Sequence, residues 1–179
     1  MKGRRFYLTV LLTVLAIGLQ GLNTLQAQEI AWKSMEEATR LSQQDGKKIL
    51  VDLYTDWCQY CKKMKRVTYR EAAVVAYINA HFHAVKFNTE KDRDSLTIGD
   101  RVYRFLPEVG REGIHEWPLK MMAGRPMYPS TVFLTSSARL ITTVPEYRKP
   151  KEMLILLHFI QESAYEHTSW TKFKSSFRP

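Results

Sequence analysis

Cys58 and Cys61 are the two cysteines of the 179-residue chain, and two residues separate them. Two thiols at this spacing can form a structural disulfide, contribute to a zinc site, or exchange a disulfide with another molecule. A bridge across two intervening residues closes a very short loop, so it removes little entropy from the unfolded chain and stabilises the fold little. Structural zinc needs four ligands, and the sequence has no second cysteine pair or paired histidines to supply them. The spacing therefore favours redox exchange.

The residues after Cys58 indicate why its thiol would react. The segment from Cys58 to Arg66 reads as a helix that begins at the cysteines. Unpaired N–H groups at a helix start favour a negative charge, so we expect Cys58 to have a lowered pKa and to supply a reachable thiolate near neutral pH. Cys61 follows one turn later on the same face. We expect Cys58 to attack a client disulfide and Cys61 to resolve the mixed disulfide; an inert bridge is the alternative.

The hydrophobic pattern predicts the elements that position these cysteines. Residues 48–54 are nearly all apolar, as in a strand that is buried on both faces of a sheet. The other predicted strands cover residues 29–32, 83–88, 96–98, 101–105, 131–134 and 140–144. Helices are predicted from a capping box at Ser34 to about Gln44, over 71–80, over 116–123, and from Pro150 to about His167, with a kink near Thr68. This order predicts an α/β domain with a mixed sheet.

The stretch from Ile49 to Met64 closely resembles the active-site strand, turn and helix of thioredoxins. Four features match this family in chain order: an aspartate six residues before the first cysteine, a tryptophan directly before it, a lysine in the next strand and a proline before the paired strands. In this chain they are Asp52, Trp57, Lys86 and Pro129. The resemblance covers about residues 29–165 and implies a thioredoxin fold, with a mixed central sheet flanked by helices.

The resemblance implies proton chemistry for two of these residues. Asp52 interrupts an apolar strand, and burial is expected to raise the pKa of its carboxyl. In the family this aspartate takes the proton from the resolving thiol, here Cys61, and Lys86 would be its charge partner. The alternatives are an aspartate at a strand end that reaches solvent and a solvated strand lysine.

The resemblance also implies which residues bind the client. It predicts that the Tyr128–Pro129 peptide bond is cis, with Pro126 as the second choice, and that the backbone of Tyr128 pairs with an extended client. Trp57 and Tyr60 would flank this client; ordinary surface packing of the two aromatic residues is the alternative.

Two departures from the family pattern are visible. The centre reads Cys-Gln-Tyr-Cys where cytoplasmic thioredoxins have Cys-Gly-Pro-Cys, and the segment between Asn88 and Pro129 is longer, which predicts an insertion at about 91–127. Exported thioredoxin-like proteins of the Bacteroidetes type often carry a similar insertion. It would shape client choice or cover the sheet edge. The basic aromatic tail at about 168–179 is predicted to cap the domain's own core rather than to bind a partner.

The first 27 residues read as a signal peptide. They contain the basic residues Lys2, Arg4 and Arg5, followed by an apolar run from Leu8 to Leu19. The small residue Ala27 then allows cleavage after it. Residues 28–179 would be the mature thioredoxin-like domain, periplasmic or otherwise exported. An uncleaved N-terminal anchor stays open.

The charge and the histidines of the chain limit the kinds of partner that we expect it to bind. The formal charge of +9 falls to +6 without the three basic residues of the first 27, and no basic stripe interleaved with aromatics predicts nucleic-acid binding. The histidines show no ligand spacing, so we expect no metal, and no cofactor is expected either. The expected partners are protein clients with disulfides or thiols and a membrane thiol-electron donor, with the protein a monomer.

The expected activity is disulfide reduction, partly because Gln59-Tyr60 contains no histidine to stabilise a strong oxidant. A disulfide oxidase or isomerase, and a non-catalytic binding module on the same fold, are the alternatives.

Overall fold

The computed structural model describes residues 29–178; the predicted signal peptide lies outside these residues. The central sheet is mixed and has five strands, which are β1 Trp32–Lys33, β2 Lys48–Tyr54, β3 Phe82–Asn88, β8 Ser130–Leu134 and β9 Leu140–Pro145. Their order in the sheet is β1-β3-β2-β8-β9. Strands β1 and β2 run parallel to β3, whereas β8 is antiparallel to both β2 and β9.

Helices cover both faces of this sheet. They are α1 Met35–Asp45, α2 Gln59–Arg66, α3 Ala72–His81, α4 Glu116–Met121, α5 Pro150–Gln161 and α6 Trp170–Ser176. Ser34 is the N-cap of α1, as predicted, since its hydroxyl accepts from the Glu37 backbone N–H at 3.1 Å; this is one of the two hydrogen bonds of the predicted capping box. The predicted kink is a 3₁₀ turn at Thr68–Arg70 between α2 and α3.

Strand β2 runs through the centre of the core. Leu50 belongs to one hydrophobic cluster, with residues of α3 and α5, and Ile49 belongs to the other, with residues of α1 and Trp117. Alternate residues of a strand share a face, so Asp52 lies on the Leu50 face. The central strand thereby carries the carboxyl into the interior.

The 91–127 segment contains more pairing than the sequence predicts. The hairpin of β4 Leu96–Ile98 and β5 Arg101–Tyr103 is present, but Phe105, expected in β5, pairs with His115 instead. This second small sheet joins β6 Phe105–Leu106 to β7 Ile114–His115. Helix α4 ends at Met121 rather than at Ala123, and Ala123 has a positive φ of 52°.

The C-terminal prediction is wrong in one respect. Helix α5 ends at Gln161 rather than near His167, because Ser163 adopts a left-handed conformation with φ of 54°. A 3₁₀ turn and α6 follow, and Trp170 and Phe173 pack on the Phe159 ring at 5.5 and 5.1 Å. This packing fits the core-capping interpretation of the tail. No helix within residues 29–178 is both long enough and apolar enough to span a membrane.

Candidate active site

Cys58 and Cys61 form a disulfide at the start of α2. Cys58 is the N-cap residue of the helix, and its Sγ accepts from the Cys61 backbone N–H at 3.0 Å. The first turn has no acidic residue, and the last turn carries Lys63, Lys65 and Arg66, which complement the helix dipole. The structure thus places the Cys58 sulfur at the N-terminus of α2, where it accepts from one backbone N–H.

The bridge is less accessible than the sequence analysis expected. Cys58 is 3% exposed and Cys61 8% exposed, between Trp57 and Tyr60, which are 59% and 62% exposed. In the disulfide form, then, Cys58 is the more covered of the two cysteines. The bridge presents only a narrow edge to solvent, framed by exposed aromatic rings.

Asp52 lies inside the sheet near two partners. It is 3% exposed, with Lys86 Nζ at 3.6 Å from Oδ2, and the Tyr69 hydroxyl donates to Oδ1 at 3.4 Å. Burial raises the pKa of Asp52 to about 6, while the positive charge of Lys86 opposes that rise. The carboxyl therefore changes its protonation state close to neutral pH. Its position does not fit the alternative of a solvent-facing strand end.

Lys86 is held by its neighbours rather than freely solvated. Strand register sets it opposite Asp52, and its ammonium lies 5.4 Å from the Trp32 ring centroid and 4.6 Å from that of Tyr54. Its side chain is 23% exposed. Two aromatic faces and the Asp52 carboxylate thus fix the position of the Lys86 ammonium.

Cys61 and Lys86 line one cavity of about 290 Å³, together with Asp56, Lys62 and Lys65. A water molecule occupies about 30 Å³ in the liquid, so the cavity has room for several. Water in it can carry a proton between the Cys61 thiol and the Lys86–Asp52 pair.

Aromatic residues lie on the Cys58 side of the bridge, where Trp57 directly precedes the cysteine and contacts Tyr128. The Trp57 and Tyr128 rings meet edge to face at 5.9 Å, and the Tyr128–Pro129 peptide bond is cis. Within residues 29–178, the backbone N–H and C=O of Tyr128 make no hydrogen bond. Tyr60 lies apart from this pair and packs on Tyr147 at 6.3 Å.

Sequence reasoning missed the residues that hold these rings. Thr89 Oγ1 donates to the Tyr128 hydroxyl at 2.7 Å, and Trp57 Nε1 donates to both carboxylate oxygens of Glu90 at 3.0 and 3.1 Å. Asn88 Nδ2 donates to Asp56 Oδ1 at 3.0 Å. Three consecutive residues, the last of β3 and the two that follow it, therefore fix the loops beside the disulfide. The sequence signal for these residues was their position at the end of the strand that contains Lys86 and directly after it. Polar residues are common in any turn, so this signal is weak.

A thioredoxin-like family model matches residues 31–134, which is more than half of the chain. The chain belongs to the thioredoxin-like family. The mixed sheet and its flanking helices confirm the predicted thioredoxin fold. Family membership and the Cys58–Cys61 pair together support a protein-disulfide oxidoreductase.

A curated relative of this thioredoxin-like chain is the thiol:disulfide interchange protein DsbD of Ralstonia nicotianae, which is 40% identical over 42 residues. That match covers 24% of this chain and only 7% of the DsbD sequence. The shared stretch is therefore a small part of a much longer protein.

Two solved structures show the same fold at low sequence identity. The DsbH oxidoreductase has a TM-score of 0.53 and 20% identity, with 84% of this chain and 94% of that chain covered. A putative disulphide-isomerase from Bacteroides thetaiotaomicron has a TM-score of 0.53 and 23% identity, with 80% and 99% covered.

Proposed function

We propose that this protein reduces disulfides of protein clients outside the cytoplasm, with Cys58 as the attacking thiol and Cys61 as the resolving thiol. The observation that carries the proposal is the asymmetry of the bridge. The Cys58 sulfur caps the α2 N-terminus, whereas Cys61 borders a cavity shared with Lys86, the partner of buried Asp52.

The reaction passes two electrons from the protein to the client. The Cys58 thiolate attacks one sulfur of the client disulfide, and the other client sulfur leaves as a thiolate that takes a proton from water. Cys61 then loses its proton through cavity water to the Asp52 carboxylate. Its thiolate displaces the bound client sulfur, which leaves reduced, and the Cys58–Cys61 disulfide closes. A thiol-electron donor, which we propose to be a membrane protein, restores the two thiols.

Client binding uses the aromatic side of the bridge. An extended client segment can pair with the Tyr128 backbone, whose N–H and C=O are free within residues 29–178. The exposed rings of Trp57 and Tyr60 would contact the client on either side of Cys58. Pro129 has no N–H, so it leaves room for this pairing at the start of β8.

Two features of the surroundings of the thiols support reduction as the proposed direction. The Lys86–Asp52 pair assists the step in which a reduced client is released, and Gln59-Tyr60 brings no histidine that would hold Cys58 as a stabilised thiolate. Export is supported by the signal-like composition of residues 1–27. Mass analysis of the secreted protein tests this, and a mature chain that begins near Gln28 is the expected result.

Insulin reduction tests the proposed activity. The wild-type protein, supplied with a small dithiol, is expected to precipitate the insulin B chain, and Cys58→Ser to abolish the reaction. Equal precipitation by the two proteins would indicate a non-catalytic binding module. Equilibration with glutathione decides the direction: a potential nearer about −270 mV supports a reductase, and one nearer about −120 mV supports an oxidase.

A further inference from the structure

A second cavity, of about 330 Å³, lies at the edge of the sheet between β1, the end of α2 and the 3₁₀ turn that follows α2. We call it the β1 cavity. It is distinct from the cavity beside Cys61, but Lys65 and Lys86 line both. The thiol chemistry proposed above does not use the β1 cavity, although only these two lysines are common to both walls.

The aromatic part of the wall is held in place by packing. Trp32 and Tyr69 meet edge to face with their ring centroids 5.3 Å apart, and Ile30 packs in the same hydrophobic cluster. Tyr69 is 5% exposed, whereas Trp32 is only partly buried and keeps surface that a ligand can contact. The β1 cavity thus has a preformed aromatic surface, which favours a ligand that contains a ring.

The charged part of the wall is predominantly positive. Lys65, Arg70 and Lys86 contribute three cations, against the single carboxylate of Glu29. Among the residues that the structure describes, neither Lys65 nor Arg70 forms an ion pair, and Lys86 pairs with Asp52 alone. This arrangement favours an anion, and the guanidinium of Arg70 can bind a carboxylate through two parallel hydrogen bonds.

Magnitudes decide which kind of anion suits the β1 cavity. Ion pairs with exposed side chains such as Lys65 and Arg70 are individually weak, so a small inorganic anion would gain little. Ring contact with Trp32 adds to the charge interaction, and a cavity of about 330 Å³ is at the lower end of the size range of ligand pockets. The ligand class that meets these conditions is a single aromatic ring with a carboxylate.

The β1 cavity is linked to Asp52 through two residues of its wall. Lys86 pairs with the Asp52 carboxylate at 3.6 Å, and the Tyr69 hydroxyl donates to it at 3.4 Å. A ligand carboxylate that contacts Lys86 would share its ammonium with Asp52 and repel the Asp52 carboxylate. Binding therefore favours the protonated form of Asp52, and by linkage the loss of the Asp52 charge strengthens binding by the same factor.

We propose that the β1 cavity binds a small aromatic carboxylate, whose ring contacts Trp32 and whose carboxylate pairs with Arg70 and Lys86, and that the bound ligand slows client release by opposing ionisation of Asp52. The binding site does not depend on the thiol chemistry. The effect on client release rests on the proposed function.

Benzoate is the probe for the binding site. It is titrated at pH 8 into the oxidised protein, and the indole N–H signal of Trp32, assigned with a Trp32→Phe variant, is followed by NMR. The signal should shift saturably with benzoate. Acetate has only the carboxylate and benzyl alcohol only the ring, so each should bind at least about fivefold more weakly.

Two arginine variants locate the carboxylate of the probe. Arg70→Gln should weaken benzoate binding about threefold to fivefold, since one ion pair is lost at an exposed position. Arg66→Gln is the matched control, because Arg66 is exposed in the last turn of α2 but does not line the cavity. Asp52→Asn should strengthen binding about threefold, because the amide does not repel the anion.

Equal affinity of the two arginine variants for benzoate would overturn the inference, as would binding of acetate that is as tight as that of benzoate. Unchanged or weaker binding to Asp52→Asn would contradict the link between the β1 cavity and Asp52.

Single-turnover release of a trapped client at pH 6 tests the functional part. Because the pKa of Asp52 is about 6, a threefold coupling lowers its ionised fraction there from about one half to about one quarter. Saturating benzoate should therefore slow release about twofold in the wild type and leave Asp52→Asn unaffected. Equal slowing of the two proteins would overturn the proposed regulation. A wild type that releases no client even without benzoate would instead remove the proposed function and leave the binding site intact.

Discussion

The two sides of the disulfide differ in chemistry. On the Cys61 side lie a buried carboxyl, a fixed ammonium and a cavity with room for water, lined by further lysines. On the Cys58 side lie Trp57 and Tyr128, held through their polar atoms by the turn after β3. The proposed function assigns proton transfer to the Cys61 side and client contact to the Cys58 side of one short bridge. Each side can be altered without touching the other.

The largest effect is expected from the cysteines themselves. Cys58→Ser should abolish reduction of protein clients, whereas Cys61→Ser should retain the first attack and accumulate mixed disulfides through Cys58. Non-reducing electrophoresis with mass spectrometry checks this. Adducts formed through Cys61 in the Cys58→Ser protein would show that Cys61, rather than Cys58, is the attacking thiol.

Asp52→Asn removes the proposed proton acceptor on the Cys61 side. Its pKa of about 6 predicts that the wild-type rate of client release rises with pH through about 6, as the carboxylate forms. The variant should lose this inflection and slow at pH 7 by roughly tenfold to a hundredfold or more. Single-turnover release of a trapped client measures the rate. An unchanged inflection would show that another group accepts the proton.

The same variant should be more stable than the wild type. The folded protein holds the Asp52 proton more tightly than the unfolded chain, because burial raises the pKa of the carboxyl from 3.8 to about 6. The stabilising contribution of the protonated form is complete below pH 4 and is lost as pH rises through 6. At 1.36 kcal/mol per pKa unit, Asp52→Asn removes a penalty of up to about 3 kcal/mol at pH 8.

Urea unfolding at pH 4 and pH 8 measures this difference, with Asp100→Asn in the exposed β4–β5 turn as the control. The Asp52→Asn gain should be present at pH 8 and small at pH 4, while the control stays near zero at both. A gain that is equal at the two pH values would contradict the raised pKa.

Lys86→Met should move the inflection rather than remove it. Without the nearby ammonium, the pKa of Asp52 rises further, so less carboxylate is present at neutral pH and client release slows several-fold. The pH profile of single-turnover release checks the direction. Lys91→Met, an exposed lysine in the turn after β3, serves as the control and should leave the profile in place.

The smallest effect is expected on the aromatic side. Tyr128→Phe deletes the hydroxyl that accepts from buried Thr89, and loss of one such hydrogen bond costs about 1 kcal/mol. We expect KM for insulin to rise about fivefold with kcat little changed. Tyr165→Phe beside α5 is the matched control. A fall in kcat alone would place Tyr128 on the chemical rather than the binding side.

The residues on the two sides of the disulfide were not equally predictable from the sequence, and the reason is physical. Asp52 stands out because a carboxylate inside an apolar strand is costly, and Cys58 because a helix pattern starts at it. Thr89 and Glu90 carry no such signal, since their roles depend on which loops fold back against the turn. The second small sheet and α6 were missed for a similar reason: short elements take their conformation from tertiary contacts, not from a long periodic pattern.

Alkylation of the fully reduced protein by iodoacetamide between pH 5 and 10, quantified separately at each cysteine, tests the central claim most directly. If α2 stabilises the Cys58 thiolate, Cys58 should be modified faster than Cys61 and with a midpoint below that of a free cysteine, about 8.5. A midpoint at or above that of free cysteine, or faster modification of Cys61, would contradict the account.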